Sequence, residues 1–116
     1  MLHEERKLSK IVEELTVYFL AVGADRIESE IEIADRQAVI RFRANYSPDC
    51  EERLECMEKY LNGEKNDGME DIYWELAGSG DPGESSQLLL VGIMTDRAEI
   101  EREEGAVRLT LYKRLR

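Results

Sequence analysis

Apolar residues recur every three or four positions between His3 and Val22, at Leu8, Ile11, Val12, Leu15, Tyr18, Phe19 and Val22. That spacing gathers them into one broad stripe on a helix, and Gly23 ends it. The period then changes to two. Ile27, Ser29, Ile31 and Ile33 alternate with Glu28, Glu30 and Glu32, the pattern of a half-buried strand. Ala38, Ile40, Phe42 and Ala44 repeat the alternation, with Val39, Arg41 and Arg43 facing outward. A hairpin turning at Asp35-Arg36 sets Glu30 opposite Arg41 and Glu28 opposite Arg43, so the charges match across the strands. A one-residue slip would carry the arginines to the other face, so charge and hydrophobicity select the same register.

From Pro48 the period is helical again, with Leu54, Met57 and Leu61 on one stripe and Asn62-Gly63 as the stop. Glu64 to Gly68 reads as a polar loop, and Met69, Ile72, Tyr73 and Leu76 predict a short helix. Ala77 to Ser86 carries Gly78, Gly80, Gly83 and a proline, which predicts a mobile loop. Gln87 to Thr95 is apolar enough for a buried helix or a buried strand; the loop before it and the pattern after it favour the helix. A second hairpin closes the chain. With Glu104-Gly105 as its turn, Ala98 faces Leu111, Ile100 faces Leu109 and Arg102 faces Val107 on the inner side, while Glu101 meets Arg108 outside. The expected architecture is an α+β two-layer sandwich: a four-stranded, mainly antiparallel sheet made of two hairpins, with the helices on one face.

Composition narrows the function classes. The 116 residues make one domain with one modest core. Sixteen Lys+Arg against 26 Asp+Glu give a formal charge of −10, which argues against nucleic acid or an anionic membrane surface as partner, since both call for clustered cations. The chain is 36% charged yet 42% hydrophobic in periodic blocks, enough to offset the entropy of ordering. Cys50 and Cys56 lack Cys-x-x-Cys spacing and read as free thiols of a reducing compartment. With no apolar run of membrane-spanning length and a charged N-terminus, the expected location is cytoplasmic. His3, the single histidine, is expected to be frayed and solvated.

The order of elements and the residues at their joints resemble the histidine-kinase-like ATPase domain (the GHKL or Bergerat fold) of sensor kinases, anti-sigma-factor serine kinases and gyrase. The likeness covers roughly Leu8 to Leu115. The helix Ile11–Val22 running into Gly23-Ala24-Asp25-Arg26-Ile27 is similar to the family's first motif, and the run from Leu88 to Leu115 is similar to the tail of the anti-sigma serine kinases. The chemistry departs from the family. Glu14 stands four residues before the position of the family's Mg²⁺-binding Asn, and that position holds Tyr18, whose phenol is a poor ligand for an ion that prefers carboxylate, amide and water oxygens. The adenine-binding Asp-x-Gly-x-Gly corresponds to Ala44-Asn45-Tyr46-Ser47-Pro48: Ala44 offers no acceptor, and Tyr46 and Pro48 replace bare glycine. The phosphate-cradling glycine turn at a helix N-terminus corresponds to Ser85-Ser86-Gln87, with its glycines displaced upstream. The resemblance therefore implies a degenerate member with vestigial pocket positions Glu14, Tyr18, Ala44, Tyr46, Pro48, Ser85 and Gln87, no catalytic residue, no metal and no cofactor.

Other constellations read as structural. Glu51, Glu52, Glu55 and Glu58 on one helix, and Glu99, Glu101, Glu103 and Glu104 on the last hairpin, fit solvated faces better than an acid–base pair. Ser85 and Ser86 have no histidine to activate them. Tyr18 and Tyr46 fit core-filling aromatics in the vacated site better than a new ligand pocket. Of Tyr73 and Trp74, one is expected to be partly exposed, as at a protein interface. The reading is an inactive, ATPase-like regulatory or protein-interaction module of bacterial-type signalling. Its partner would be a protein with a basic surface, and a homodimer stays open. Two alternatives are a divergent ATP-dependent anti-sigma-type serine kinase with Glu14 as base, and an unrelated small α+β binding domain.

Overall fold

The computed structural model describes residues 2–55, 57–62 and 84–115. Helix α1 (Leu2–Ala21) leads into strands β1 (Ile27–Ala34) and β2 (Gln37–Asn45). A 3-10 turn (Pro48–Cys50) and the short helices α2 (Glu51–Leu54) and α3 (Met57–Asn62) follow. Helix α4 (Glu84–Met94) then precedes β3 (Arg97–Glu103) and β4 (Ala106–Arg114). The four strands form one antiparallel sheet in the order β1-β2-β4-β3, an α+β two-layer sandwich with helices packed on one face.

Local chemistry fixes each joint. Acidic Glu4 and Glu5 in the first turn of α1 suit the positive end of the helix dipole. At its other end Gly23 takes φ +91°, and Ala24 N–H donates to Phe19 O at 2.9 Å, a glycine C-cap. A Cβ on Gly23 would stand 2.7 Å from Ser47 Cβ, so glycine is needed for close approach as well as for φ. In the first hairpin Asp35 and Arg36 take φ 51° and 61°, the left-handed pair of a type I′ turn. Its register sets Glu30 opposite Arg41 and Glu28 opposite Arg43, as the charge pattern predicts. The second hairpin has Ala98 opposite Leu111, Ile100 opposite Leu109 and Arg102 opposite Val107.

The hairpins join through their second strands, with Ile40 opposite Leu111 and Phe42 opposite Leu109. These residues line the floor of the core. Leu8, Ile11, Leu15, Tyr18, Phe19 and Val22 of α1 come down on that floor, together with Leu88 and Val91 of α4. Phe19 is stacked on Phe42 at 5.5 Å between centroids and meets the Tyr18 ring edge-on at 5.2 Å. Lys113 reaches inward from β4, donating to Met94 O at 3.0 Å and lying 3.9 Å from the Glu4 carboxylate. This cation caps the negative end of α4.

Several expectations are corrected. β1 is not half-buried: it is an edge strand whose Ile27 packs against the core while Ile31 and Ile33 are 43% and 55% exposed. The helix expected from Pro48 is broken into the 3-10 turn, α2 and α3, although Leu54, Met57 and Leu61 are all buried on one side. Residues Glu84, Ser85 and Ser86, expected in a loop, form the first turn of α4. His3 is placed in the first turn of α1. The register is as expected, but the ion pairs differ in detail. Arg43 and Arg108 both reach Glu103, at 3.3 and 3.5 Å, in place of Glu28 and Glu101. Cys50 is a free, partly buried thiol; Cys56, Tyr73, Trp74, the predicted helix at Met69 to Leu76 and the glycines 78, 80 and 83 lie outside the described residues.

Helices α3 and α4 meet at Gly92, where a Cβ would stand 2.4 Å from Tyr60 O. Gly92→Ala should therefore destabilise the protein by about 1–3 kcal/mol, despite alanine's better helix propensity. Thermal denaturation followed by circular dichroism checks this; an unchanged or raised midpoint would contradict the α3–α4 contact.

Candidate functional site

The resemblance set out above singles out seven positions. On α1, Glu14 and Tyr18 stand one turn apart. Tyr18 is 2% exposed and belongs to the same buried cluster as Ala44 and Tyr46. Glu14 is held by Lys10 at 2.9 Å, its side chain 11% exposed. Ala44 ends the buried row of β2, opposite Ile27 and Val107. Pro48 is exposed and opens the 3-10 turn, where a missing N–H leaves no ladder bond unmade. Ser85 and Gln87 belong to the first turn of α4. Tyr18, Ala44 and Tyr46 are thus brought together, as components of a packed interior.

Tyr46 is also the centre of a polar latch that sequence reading did not find. Its hydroxyl donates to Glu51 Oε2 at 2.6 Å, and Arg102 donates to both Glu51 Oε1 and the Tyr46 oxygen. The hydrogen bond with Tyr46 raises the Arg102 pKa further above its ordinary value; partial burial opposes this and the charge of Glu51 assists it. The latch ties the far end of β3 to the start of α2 across the end of the sheet. One carboxylate of the Glu51–Glu58 series is thereby taken up structurally. Only long-range pairing brings Glu51 and Arg102 together, so local pattern could not reveal it.

Asn45 has a comparable role at the neighbouring corner. Its Oδ1 accepts from the backbone N–H groups of Asp25 and Arg26 at 2.9 and 3.1 Å, and its Nδ2 donates to Asp25 Oδ1. The turn between α1 and β1 is therefore fixed to the exit of β2. A groove of about 430 Å³ lies beside it, lined by Asp25, Arg26, Arg43, Asn45 and Glu104 among others. Both signs of charge are present there, and the carboxylates disfavour a polyphosphate.

On the sheet face away from the helices, charge is laid out in bands. Glu28, Glu30 and Glu32 form the β1 edge; Arg41, Arg43 and Arg108 run down the middle; Glu99, Glu101 and Glu103 form the β3 edge. Arg41 lies 3.5 Å from both Glu30 and Glu32. These exposed pairs contribute little stability individually. The two rims instead present a net negative surface around a basic stripe already engaged from both sides. The described residues contain no cluster of three or more His, Cys, Asp or Glu suited to a metal ion. No helix among them is long and apolar enough to cross a membrane.

Comparison with known proteins matches the chain to no family model, no curated protein and no solved structure.

Tyr46→Phe keeps the buried ring and removes only the hydroxyl. It should cost about 1 kcal/mol, the net value of a partly buried hydrogen bond, with little change in urea m-value. In the Glu51→Ala background the same substitution should cost less, because the latch has already lost its acceptor. Equal costs in both backgrounds, read from urea midpoints, would show the latch to be uncoupled.

Proposed function

We propose that this chain is a catalytically inactive module built on an ATPase-like scaffold, acting in bacterial-type signalling by binding a protein with a basic surface. The supporting observation is Tyr18, which stands where the resembled family places its Mg²⁺ ligand. Its ring is buried edge-on against Phe19, in one cluster with Ala44 and Tyr46. A phenol in that setting supplies neither the amide oxygen nor the room that a hydrated Mg²⁺ requires.

The topology is compatible with this reading. A first helix backs a hairpin, and a later helix leads into a second hairpin whose last strand lies beside β2. The serine-kinase alternative is weaker, because Glu14 is occupied by Lys10 in place of a substrate proton. The charge layout supports a basic partner, with acidic rims along both edges of the open sheet face. Such a partner gains association rate from electrostatic steering, and its binding weakens as salt rises. The free Cys50 thiol suits a reducing, cytoplasmic setting.

Mg-ATP titration followed by thermal shift and by fluorescence of Trp74 tests the inactive reading. A ligand at a hundredfold its Kd stabilises a fold by about 2.7 kcal/mol, a shift of many degrees in a domain of this size. No saturable shift is expected with Mg-ATP, and a saturable one would overturn the reading.

A further inference from the structure

The two edges of the sheet are treated differently. In antiparallel pairing, alternate residues turn both backbone groups toward the neighbouring strand and the others turn theirs away. The turn at Glu104-Gly105 closes on the pair Glu103 and Ala106, so in β3 the outward groups belong to Ala98, Ile100 and Arg102. The Asn62 side chain meets the first of these: its Nδ2 donates to Ala98 O at 2.9 Å and its Oδ1 accepts from Ala98 N–H at 3.0 Å. An amide side chain thus imitates a neighbouring strand and occupies the first of the three outward positions of that edge. Ala98 is buried beneath it.

β1 carries no such contact among the described residues. Its turn closes on Ala34 and Gln37, so the outward N–H and C=O groups are those of Ser29, Ile31 and Ile33. All three residues are exposed. Ile31 and Ile33 project on the helix side of the sheet, where no described helix covers them, at 43% and 55% exposure. Glu28, Glu30 and Glu32 project on the other side, and Glu28 forms no ion pair with any described residue. A long, bare, apolar edge is a template for another strand.

The charges decide what that strand is. Residues on one sheet face must lie beside residues of the same face. A second copy of β1 would therefore bring its glutamates against Glu28, Glu30 and Glu32, an arrangement that like charges disfavour. The chain's own solution is β2, where Arg41 and Arg43 stand opposite Glu30 and Glu28 while Ile40 stands opposite Ile31. From this juxtaposition we infer that the outer edge of β1 binds an extended segment of a partner protein in which basic and apolar side chains alternate, adding a fifth strand. This rests on the reading of the chain as a protein-binding module and gives that module its contact surface. Main-chain hydrogen bonds would supply affinity, with side-chain alternation supplying choice of partner.

The probe is a short fluorescent peptide of alternating Arg and Val, titrated against the full chain by anisotropy. Expected are a Kd of roughly 1–100 μM at low salt, weakening with salt, and at least tenfold weaker binding of a peptide with Glu in place of Arg. Ile31→Pro removes an N–H that points away from β2, and Glu28→Lys removes a carboxylate that pairs with no described cation. Each should reduce binding about tenfold or more while leaving the circular dichroism spectrum unchanged. Should Ile31→Pro fail to fold, the wild-type protein with a peptide N-methylated at alternate amides reads the same backbone bonds, and methylation should abolish binding. The inference is overturned by absence of binding, by binding that survives both Ile31→Pro and methylation, or by a concentration-dependent dimer that Ile31→Pro dissolves. Mg-ATP titration of the same samples separates the two proposals. Peptide failure with a silent nucleotide titration removes the edge site alone, whereas a saturable nucleotide shift removes the inactive reading whatever the peptide does.

Discussion

The stacking of Phe19 on Phe42 is the contact on which the rest of the structure depends. It joins α1 to the central strand pair, and neighbouring residues pack around it. Leu15 and Val22 lie on the same helix stripe. Ile40 and Ala44 lie on the same strand face, and Leu109 stands beside Phe42 on β4. Close packing around two rings leaves little tolerance for shifts of the helix along the sheet. Gly23 and Asn45 complete the constraint, because the chain must leave α1 at a left-handed residue and enter β1 through a turn held by the Asn45 amide.

That constraint also accounts for the burial of Tyr18, Ala44 and Tyr46. Tyr18 is next to Phe19, and on a helix whose buried stripe includes both, it is drawn into the interior. Ala44 is two residues beyond Phe42 and so faces the same side. An aromatic and a methyl group are consistent with packing at these positions, and each is inconsistent with binding a cation or an adenine amino group. Tyr46 carries the pattern one step further and finds a polar use for its hydroxyl in Glu51 and Arg102.

The hairpins were legible because each is specified by local information repeated on several levels. Turn residues, apolar alternation and cross-strand charge agreed on one register, and Asp35-Arg36 and Glu104-Gly105 are the turns. The broken course of residues 48–62 was not legible, because the apolar positions Leu54, Met57 and Leu61 satisfy a helical period whether or not the helix is continuous. The exposure of Ile31 and Ile33 was hidden for another reason. Alternation shows which side of a strand is apolar, but whether a helix lies over that side depends on where the strand stands in the sheet.

Tyr18, Ala44 and Tyr46 stand out in the sequence only through the family resemblance; that they share one buried cluster is a tertiary fact. The sequence could not pair Tyr46 with Arg102, or Asn62 with Ala98, since these partners are far apart in the chain and neither follows a local period. What the sequence determined by itself is the first helix, the two hairpins with the register within each, and the chemistry its side chains can offer, because these rest on neighbours a few residues apart. The tertiary structure alone decided that β2 lies beside β4, that Asn62 engages Ala98 at the β3 edge and that β1 forms the opposite edge. Sheet order is set by how the whole apolar surface is buried at once, and no segment of the chain carries that information separately.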